Sequence, residues 1–352
     1  MRELRALATD PEPPHALLLA GPDGTGRRLL ARFYAQVLNC ERRDGGAPAA
    51  AGMFAAEAVE PLPAEQLPCG ECRPCRLIET DAHPDVVHLA PGDTLCKPRV
   101  GDSSHPAHPQ SRDIRICQVR GLIELASRYP FEARYRLVMV EPAERLAREA
   151  AHTILKTLEE PPGHTVFALV SAAPEALLET IISRCRRIDV RSVPRDEIEA
   201  GLVAGGIDAA LAAEAAAASR GRPGRALQYV EDPDLMAARG RLLERCATIS
   251  IASVADRFRH AEDLATRYRK ERSGIEGDLD AWETFWQEQL RRAAPERGEA
   301  AAEALAALKA VTQCREDLLT NVIPRAAFEL MLLRFPRLRL DVTTQEEPAA
   351  HA

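Results

Sequence analysis

The stretch LLLAGPDGTGRRLLARF, residues 17–33, decides how the rest of the chain is read. The apolar run Ala16–Ala20 reads as a short buried strand, a glycine-rich turn follows it, and apolar residues then return at helical spacing from about Arg28 to Asn39. Strand, turn and helix in that order make a phosphate-binding unit. Gly21 and Gly26 fit the spacing G-x-x-x-x-G with Gly24 between them, and glycines there let backbone N–H groups curl around an anion at a helix N-terminus. A working loop continues with Lys, which reaches the β- and γ-phosphates, and with Ser or Thr, whose hydroxyl holds magnesium. Here those two positions are Arg27 and Arg28. Arginine can still meet a phosphate, but no side chain at 28 replaces the hydroxyl as a metal ligand. The plainer account is a strand-to-helix turn without a ligand, and the loop taken alone supports both.

A nucleotide site of this kind also needs an apolar strand ending in Asp-Glu, one carboxylate for magnesium and one to orient the attacking water. The matching run is Leu137–Val140, followed by Glu141 and Pro142. Glu141 can act as the metal carboxylate, or simply be a solvated glutamate at a helix start. Pro142 has no carboxylate for the water, so two separate elements are impaired in the same direction. Further strand-like runs at 86–89, 166–170 and 188–190 alternate with helix-like segments near 115–128, 143–159 and 174–182, which predicts a parallel sheet covered by helices. After Pro194 the strands stop. Residues 195–230 read as short Ala-rich helices and 235–335 as longer ones, with Leu305, Leu308, Val311, Leu318 and Val322 close to helical spacing and Pro324 suited to the first turn of the last. Residues 41–68 and 91–110, rich in small residues and proline, read as insertions, and 343–352 as a disordered tail.

At 352 residues the chain has room for two or three domains, taking ~100–200 residues for each. Its 46 Lys and Arg against 53 Asp and Glu, net −7, argue against a protein whose whole surface grips nucleic acid, while leaving room for a local basic patch. The five apolar residues at 16–20 fall short of a signal-peptide core, and no run approaches the ~18–20 residues of a membrane span, so a cytoplasmic protein with no membrane partner is expected. Nine cysteines in such a chain point to thiols or a metal site rather than to a disulfide framework. Cys69, Cys72 and Cys75 form two overlapping C-x-x-C steps that can converge on one ion, with Cys40 as the fourth ligand and His83, His88 or Cys96 as its competitors. Four protein ligands leave no open position for water, so the expected zinc is structural. Ser183-Arg184-Cys185 ends a predicted helix, where an arginine is favoured by the helix dipole, and Arg225 in SRGRPGRAL reads as a solvated helix residue.

Four segments carry a family resemblance: PCGECRPCRLIETDAHPDV at 68–86, AHTILKTLEEPP at 151–162, TIISRCRRIDV at 180–190 and LTNVIPRAAFELMLL at 319–333. With them the chain resembles the bacterial DNA polymerase III clamp-loader family, and its delta-prime branch more than its gamma/tau branch. The resemblance implies an α/β domain of the AAA+ class at 1–191 with a zinc module at 40–75, a helical lid at 192–234, an all-α collar domain at 235–340 and a tail at 341–352. It implies a pentameric ring with gamma/tau and delta subunits that loads the sliding clamp onto primed DNA at the expense of ATP. It further implies that the chain's own ATP site, at Gly21, Gly24, Gly26, Arg27, Arg28 and the lid residue Arg225, is defective, and it leaves open whether the loop still holds ADP or an anion. Ser183, Arg184 and Cys185 would then reach the neighbouring gamma/tau site, with Arg184 as an arginine finger. The departure at Ser171–Pro174 leaves the family's polar sensor position open. Two other readings stand beside this one: an active gamma/tau-like ATPase with Arg27 in place of lysine, against which Pro142 speaks, and a zinc-dependent nucleic-acid-binding scaffold using the basic run Arg184, Arg186, Arg187, Arg191 and Arg195, against which the net charge speaks.

Overall fold

A computed structural model describes residues 1–43, 60–97, 109, 111–270, 272–296, 298–319 and 322–337. The core of each expected insertion, 44–59 and 98–108, and the whole expected tail lie outside the described residues. The chain forms two compact units, Met1–Val230 and Glu231–Ala352.

The first unit is built on five strands, β1 (Ala16–Ala20), β2 (Val86–Leu89), β3 (Arg136–Val140), β4 (Thr165–Ser171) and β5 (Arg186–Asp189), in the order β2-β3-β4-β1-β5. Every pairing is parallel. Central strands of such a sheet are covered on both faces, which is why ALLLA is continuously apolar rather than alternating. Leu17 and Leu19 pack on one face with α1 (Arg2–Thr9), α2 (Arg27–Asn39) and α3 (Arg73–Glu79). Ala16, Leu18 and Ala20 pack on the other with α4 (Ile116–Ala126), α5 (Arg148–Glu159) and α6 (Glu179–Ile182). The edge strand β5 is Arg-Arg-Ile-Asp and largely exposed, a charged border that discourages pairing with another chain. Three helices complete the unit: α7 (Arg195–Ala204), α8 (Ala209–Ser219), whose first turn is capped by Asp208 accepting from the Ala210 and Leu211 amides, and α9 (Pro223–Glu231).

The second unit is helical, α10 (Pro233–Ile251), α11 (Val254–Lys270), α12 (Arg272–Ala293), α13 (Glu299–Leu319) and α14 (Pro324–Leu333), with Pro324 in the opening turn as expected. Its core gathers both tryptophans, Trp282 and Trp286, around Phe335, with ring centroids 4.7 and 5.2 Å away. The buried Arg257 donates to the carbonyls of Ser250, Leu332, Phe335 and Pro336 and so fastens the end of α14. Of the five residues read as one apolar stripe, Val311 and Leu318 are buried and Leu308 is packed at the core margin, but Leu305 and Val322 are exposed. Val322 precedes α14 instead of continuing α13, so the helical period breaks before reaching it.

Candidate functional site

Because all strands run the same way, the loops after them gather at one edge of the sheet, where α/β proteins bind ligands. The glycine-rich turn sits there behind β1, between β4 and β5. Gly21 donates its N–H to Ser171 O (3.1 Å), and a Cβ on it would lie 2.2 Å from Val190 O, a backbone approach only glycine permits. Gly26 caps α2 at φ +87°, again a glycine conformation. Arg27, 7 % exposed, donates from Nη2 to the Asp23 carboxylate across the turn, and its Nη1 is buried without a hydrogen-bond partner among the described residues. Arg28 faces elsewhere: it pairs with Asp81 (3.2 Å), which also holds Arg32 (3.4 Å).

Glu141 at the end of β3 lies 3.4 Å from His88 Nε2, and Glu144 accepts from the Ala172 amide (3.2 Å). Helix α9 meets the same turn, since the Gly224 amide at its start donates to Gly24 O (2.8 Å). Arg225 follows directly, but its guanidinium stacks over the Tyr229 ring, 5.6 Å from the centroid. A phosphate oxygen would suit the unpaired Arg27 Nη1 and the loop amides. A magnesium ion would find no hydroxyl at 28 and a carboxylate at 141 already beside an imidazole.

The second cluster is the thiols. Cys40 closes the C-terminus of α2, Cys72 caps α3, Cys75 is buried in the first turn of α3 and Cys69 lies in the loop between. Gly70, at φ +76°, turns the chain between Cys69 and Cys72. All four Sγ atoms lie within 4.8 Å of one another. The Cys69 amide points at Cys40 Sγ (3.5 Å) and the Cys72 amide at Cys69 Sγ (3.3 Å), an arrangement that favours thiolates. Hydrogen bonds from Cys72 and Cys75 pull the Cys40 thiol down to about 4, while hydrogen bonds with Cys40 and Cys72, together with burial, push the Cys75 thiol up. Tetrahedral zinc with Zn–S bonds of about 2.3 Å needs sulfurs about 3.8 Å apart, a separation inside the 4.8 Å that bounds this cluster. The three rival ligands lie elsewhere: His83 Nδ1 accepts from the Asp85 amide (3.1 Å), His88 faces Glu141, and Cys96 lies beside Cys117.

Ser183 closes the short α6 and Arg184 follows it. Arg184 Nη1 donates to Thr180 O (2.9 Å) and reaches Ser183 Oγ (3.4 Å), so the ordinary helix-end role is visible; Nη2 meets Glu159 Oε1 at 2.5 Å. Burial pushes the Cys185 thiol up to about 12, and the residue packs at the margin of the core under α5 and α6. In the basic run, Arg186 pairs with Glu3 (3.2 Å), Arg187 with Asp189 (2.8 Å) and Arg195 with Glu199 (3.9 Å), so much of its charge is answered on the chain itself.

One site escaped the sequence entirely. Asp85, fully buried just before β2, accepts from the amides of Phe131 and Glu132 (both 2.8 Å) and Ala133 (3.0 Å) and from Arg136 Nη2 (2.9 Å), and so holds the turn into β3. In the sequence it is one aspartate before a strand, and its partners lie more than 45 residues on.

The family model described as DNA polymerase III, delta subunit, matches residues 1–194. The DNA polymerase III subunit delta-prime of Pseudomonas aeruginosa is 37% identical over 171 residues, 49% of this chain and 41% of that protein. Its counterpart from Haemophilus influenzae is 30% identical over 184 residues, 52% of this chain and 44% of that protein. The tau subunit of Bacillus subtilis is 29% identical over 184 residues, 52% of this chain and 26% of that protein. The chain thus spans less than half the length of these relatives. Among solved structures, a gamma subunit-related protein of DNA polymerase III from Thermotoga maritima is similar at 16% identity and TM-score 0.41, covering 96% of this chain and 98% of that one. No described helix is long and apolar enough to cross a membrane. A family model across residues 1–194, delta-prime relatives at 30 to 37% identity and the motifs that join loop, thiols and Ser-Arg-Cys place the chain in the delta-prime family of DNA polymerase III clamp-loader subunits.

Proposed function

We propose that this subunit serves an ATP-driven clamp loader without hydrolysing ATP itself: an AAA+ unit whose own loop is spent, and which offers Arg184 to the site of a gamma/tau neighbour. The observation that carries this is the contrast between its two arginines. Arg27, at the lysine position, is buried and tied to Asp23 within its own loop, while Arg184 stands partly exposed at the end of α6. A guanidinium brought to the γ-phosphate of a neighbour's ATP stabilises the charge that develops as the phosphoryl group leaves, and it needs no magnesium ligand on its own chain. Residues 192–234 act as the lid, in which the Gly224 amide meets the spent loop at Gly24 O. Residues 235–340 act as the collar, and assembly with gamma/tau and delta brings the ring to the sliding clamp and primed DNA. Cys40, Cys69, Cys72 and Cys75 hold a structural zinc ion that ties α2 to α3.

The test compares wild type and Arg184→Ala, alone and reconstituted with gamma/tau, delta, clamp and primed DNA. The isolated chain is expected to show no magnesium-dependent turnover. Arg184→Ala is expected to leave the complex assembled and to lower its clamp-stimulated ATP hydrolysis by the share of the site that Arg184 serves, since an arginine finger carries about 10³–10⁵ in kcat at its own site while other active sites keep theirs. Turnover by the isolated chain, abolished by Arg27→Ala, would replace this reading with that of an active ATPase.

A further inference from the structure

The two most specific motifs of the sequence, LKTLEEPP and Ser-Arg-Cys, are separated along the chain and meet in the fold. Helix α5 stops at Glu159 because residue 160 precedes a proline, whose ring disfavours helical backbone before it, and Pro161 and Pro162 cannot continue the ladder. Leu158, one residue earlier, is buried in the core, and on the facing element Ile181 is buried too. Both helices are thereby fixed in rotation, and the last residue of α5 comes to lie against the second residue after α6. There Glu159 Oε1 takes Arg184 Nη2 at 2.5 Å, while Thr180 O takes Nη1 at 2.9 Å.

Two acceptors on the two terminal nitrogens fix the plane of a guanidinium, where one would leave it free to swing about the bond. Nη1 also faces Ser183 Oγ (3.4 Å), while Nη2 keeps a second N–H and Nε keeps its own. From this geometry we infer that Glu159 is a positioning residue for Arg184: it sets the finger's plane before a neighbour's phosphate arrives, so that less of the long side chain's freedom is lost on engagement. The inference rests on the finger reading given above.

The experiment is steady-state ATP hydrolysis by the reconstituted complex, with clamp and primed DNA, for Glu159→Ala, Glu159→Gln, Arg184→Ala and the double variant Glu159→Ala/Arg184→Ala. An exposed ion pair carries a factor of about two to five. Glu159→Ala should therefore lower kcat by about that factor with KM for ATP little changed, and Glu159→Gln, which keeps an acceptor oxygen, should restore part of the loss. In the Arg184→Ala background, Glu159→Ala should have no further effect. A loss that persists in that background would mean Glu159 only supports the fold. An unchanged or increased rate for Glu159→Ala, with Arg184→Ala still impaired, would overturn the positioning role and leave the finger standing. A silent Arg184→Ala would remove the finger reading itself.

Discussion

Asp85→Asn replaces one carboxylate oxygen by an amide group of the same size, and the arrangement around it makes the consequence calculable. Oδ1 accepts from Phe131 N (2.8 Å) and Arg136 Nη2 (2.9 Å), and Oδ2 from Glu132 N (2.8 Å) and Ala133 N (3.0 Å). Whichever way the asparagine turns, its NH2 faces two donors, and the buried Arg136 loses its counter-charge. Removing one member of a buried ion pair costs about 3–5 kcal/mol, a large share of the roughly 5–15 kcal/mol by which domains are stable. Arg136 would keep its bonds to the carbonyls of Leu125, Arg128 and Tyr129, which holds the expectation at the lower end of that range.

The readout is native-state hydrogen exchange of the amides of β3, beginning with Leu137, which donates to Asp85 O (2.9 Å). This follows the first unit without assuming that the whole chain unfolds in one step. Protection should fall by about 3 kcal/mol in β2 and β3. The wild type should show the matching pH dependence. Burial alone would raise the Asp85 carboxyl, but the three amides and Arg136 outweigh it and hold it below its ordinary 3.8. The folded value being the lower one, its stabilisation is fully present above the unfolded value near 4 and is lost as pH falls through the folded value. A loss below 1 kcal/mol for Asp85→Asn would refute the reasoning, since it would mean that the turn at 131–133 finds other acceptors.

Two further outcomes follow from the loop and the thiols. Gly21→Ala should destabilise the first unit, because its Cβ would stand 2.2 Å from the Val190 carbonyl oxygen; thermal unfolding unchanged within a degree would mean that the turn relaxes away from β5. The purified chain should carry one zinc ion, and Cys72→Ser should release it, as read by metal analysis and a thiol-reactive dye; full retention in the variant would remove the assignment.

Much of the first unit was legible because its physics is local. Buried parallel strands need unbroken apolar runs, so β2 was read to the residue and β3 and β4 to within one. The turn announced itself through glycines, and Pro324 marked the start of α14. Signals carried by few apolar residues failed. Helix α1, with only Leu4 and Ala8 buried, went unread, and β5 begins two residues before its apolar part because its register comes from pairing with β1 rather than from its own side chains. The stripe drawn through Leu305 and Val322 failed because spacing says which residues share a face, not which face is covered.

The sequence by itself determined chemistry carried by residue type at fixed spacing: a phosphate loop without lysine or hydroxyl, three cysteines within seven residues, a Ser-Arg-Cys turn, and through them the family. What only the tertiary structure decided was which of these groups meet. It brought Cys40 to the other thiols across the segment that separates them, turned Arg27 onto Asp23 and Arg28 onto Asp81, and set Glu159 against Arg184. The physical reason is that charge and hydrogen-bond pairing act over a few ångströms, whereas order along the chain places such partners four residues apart or fifty. Only the packing of helices on the sheet converts one distance into the other.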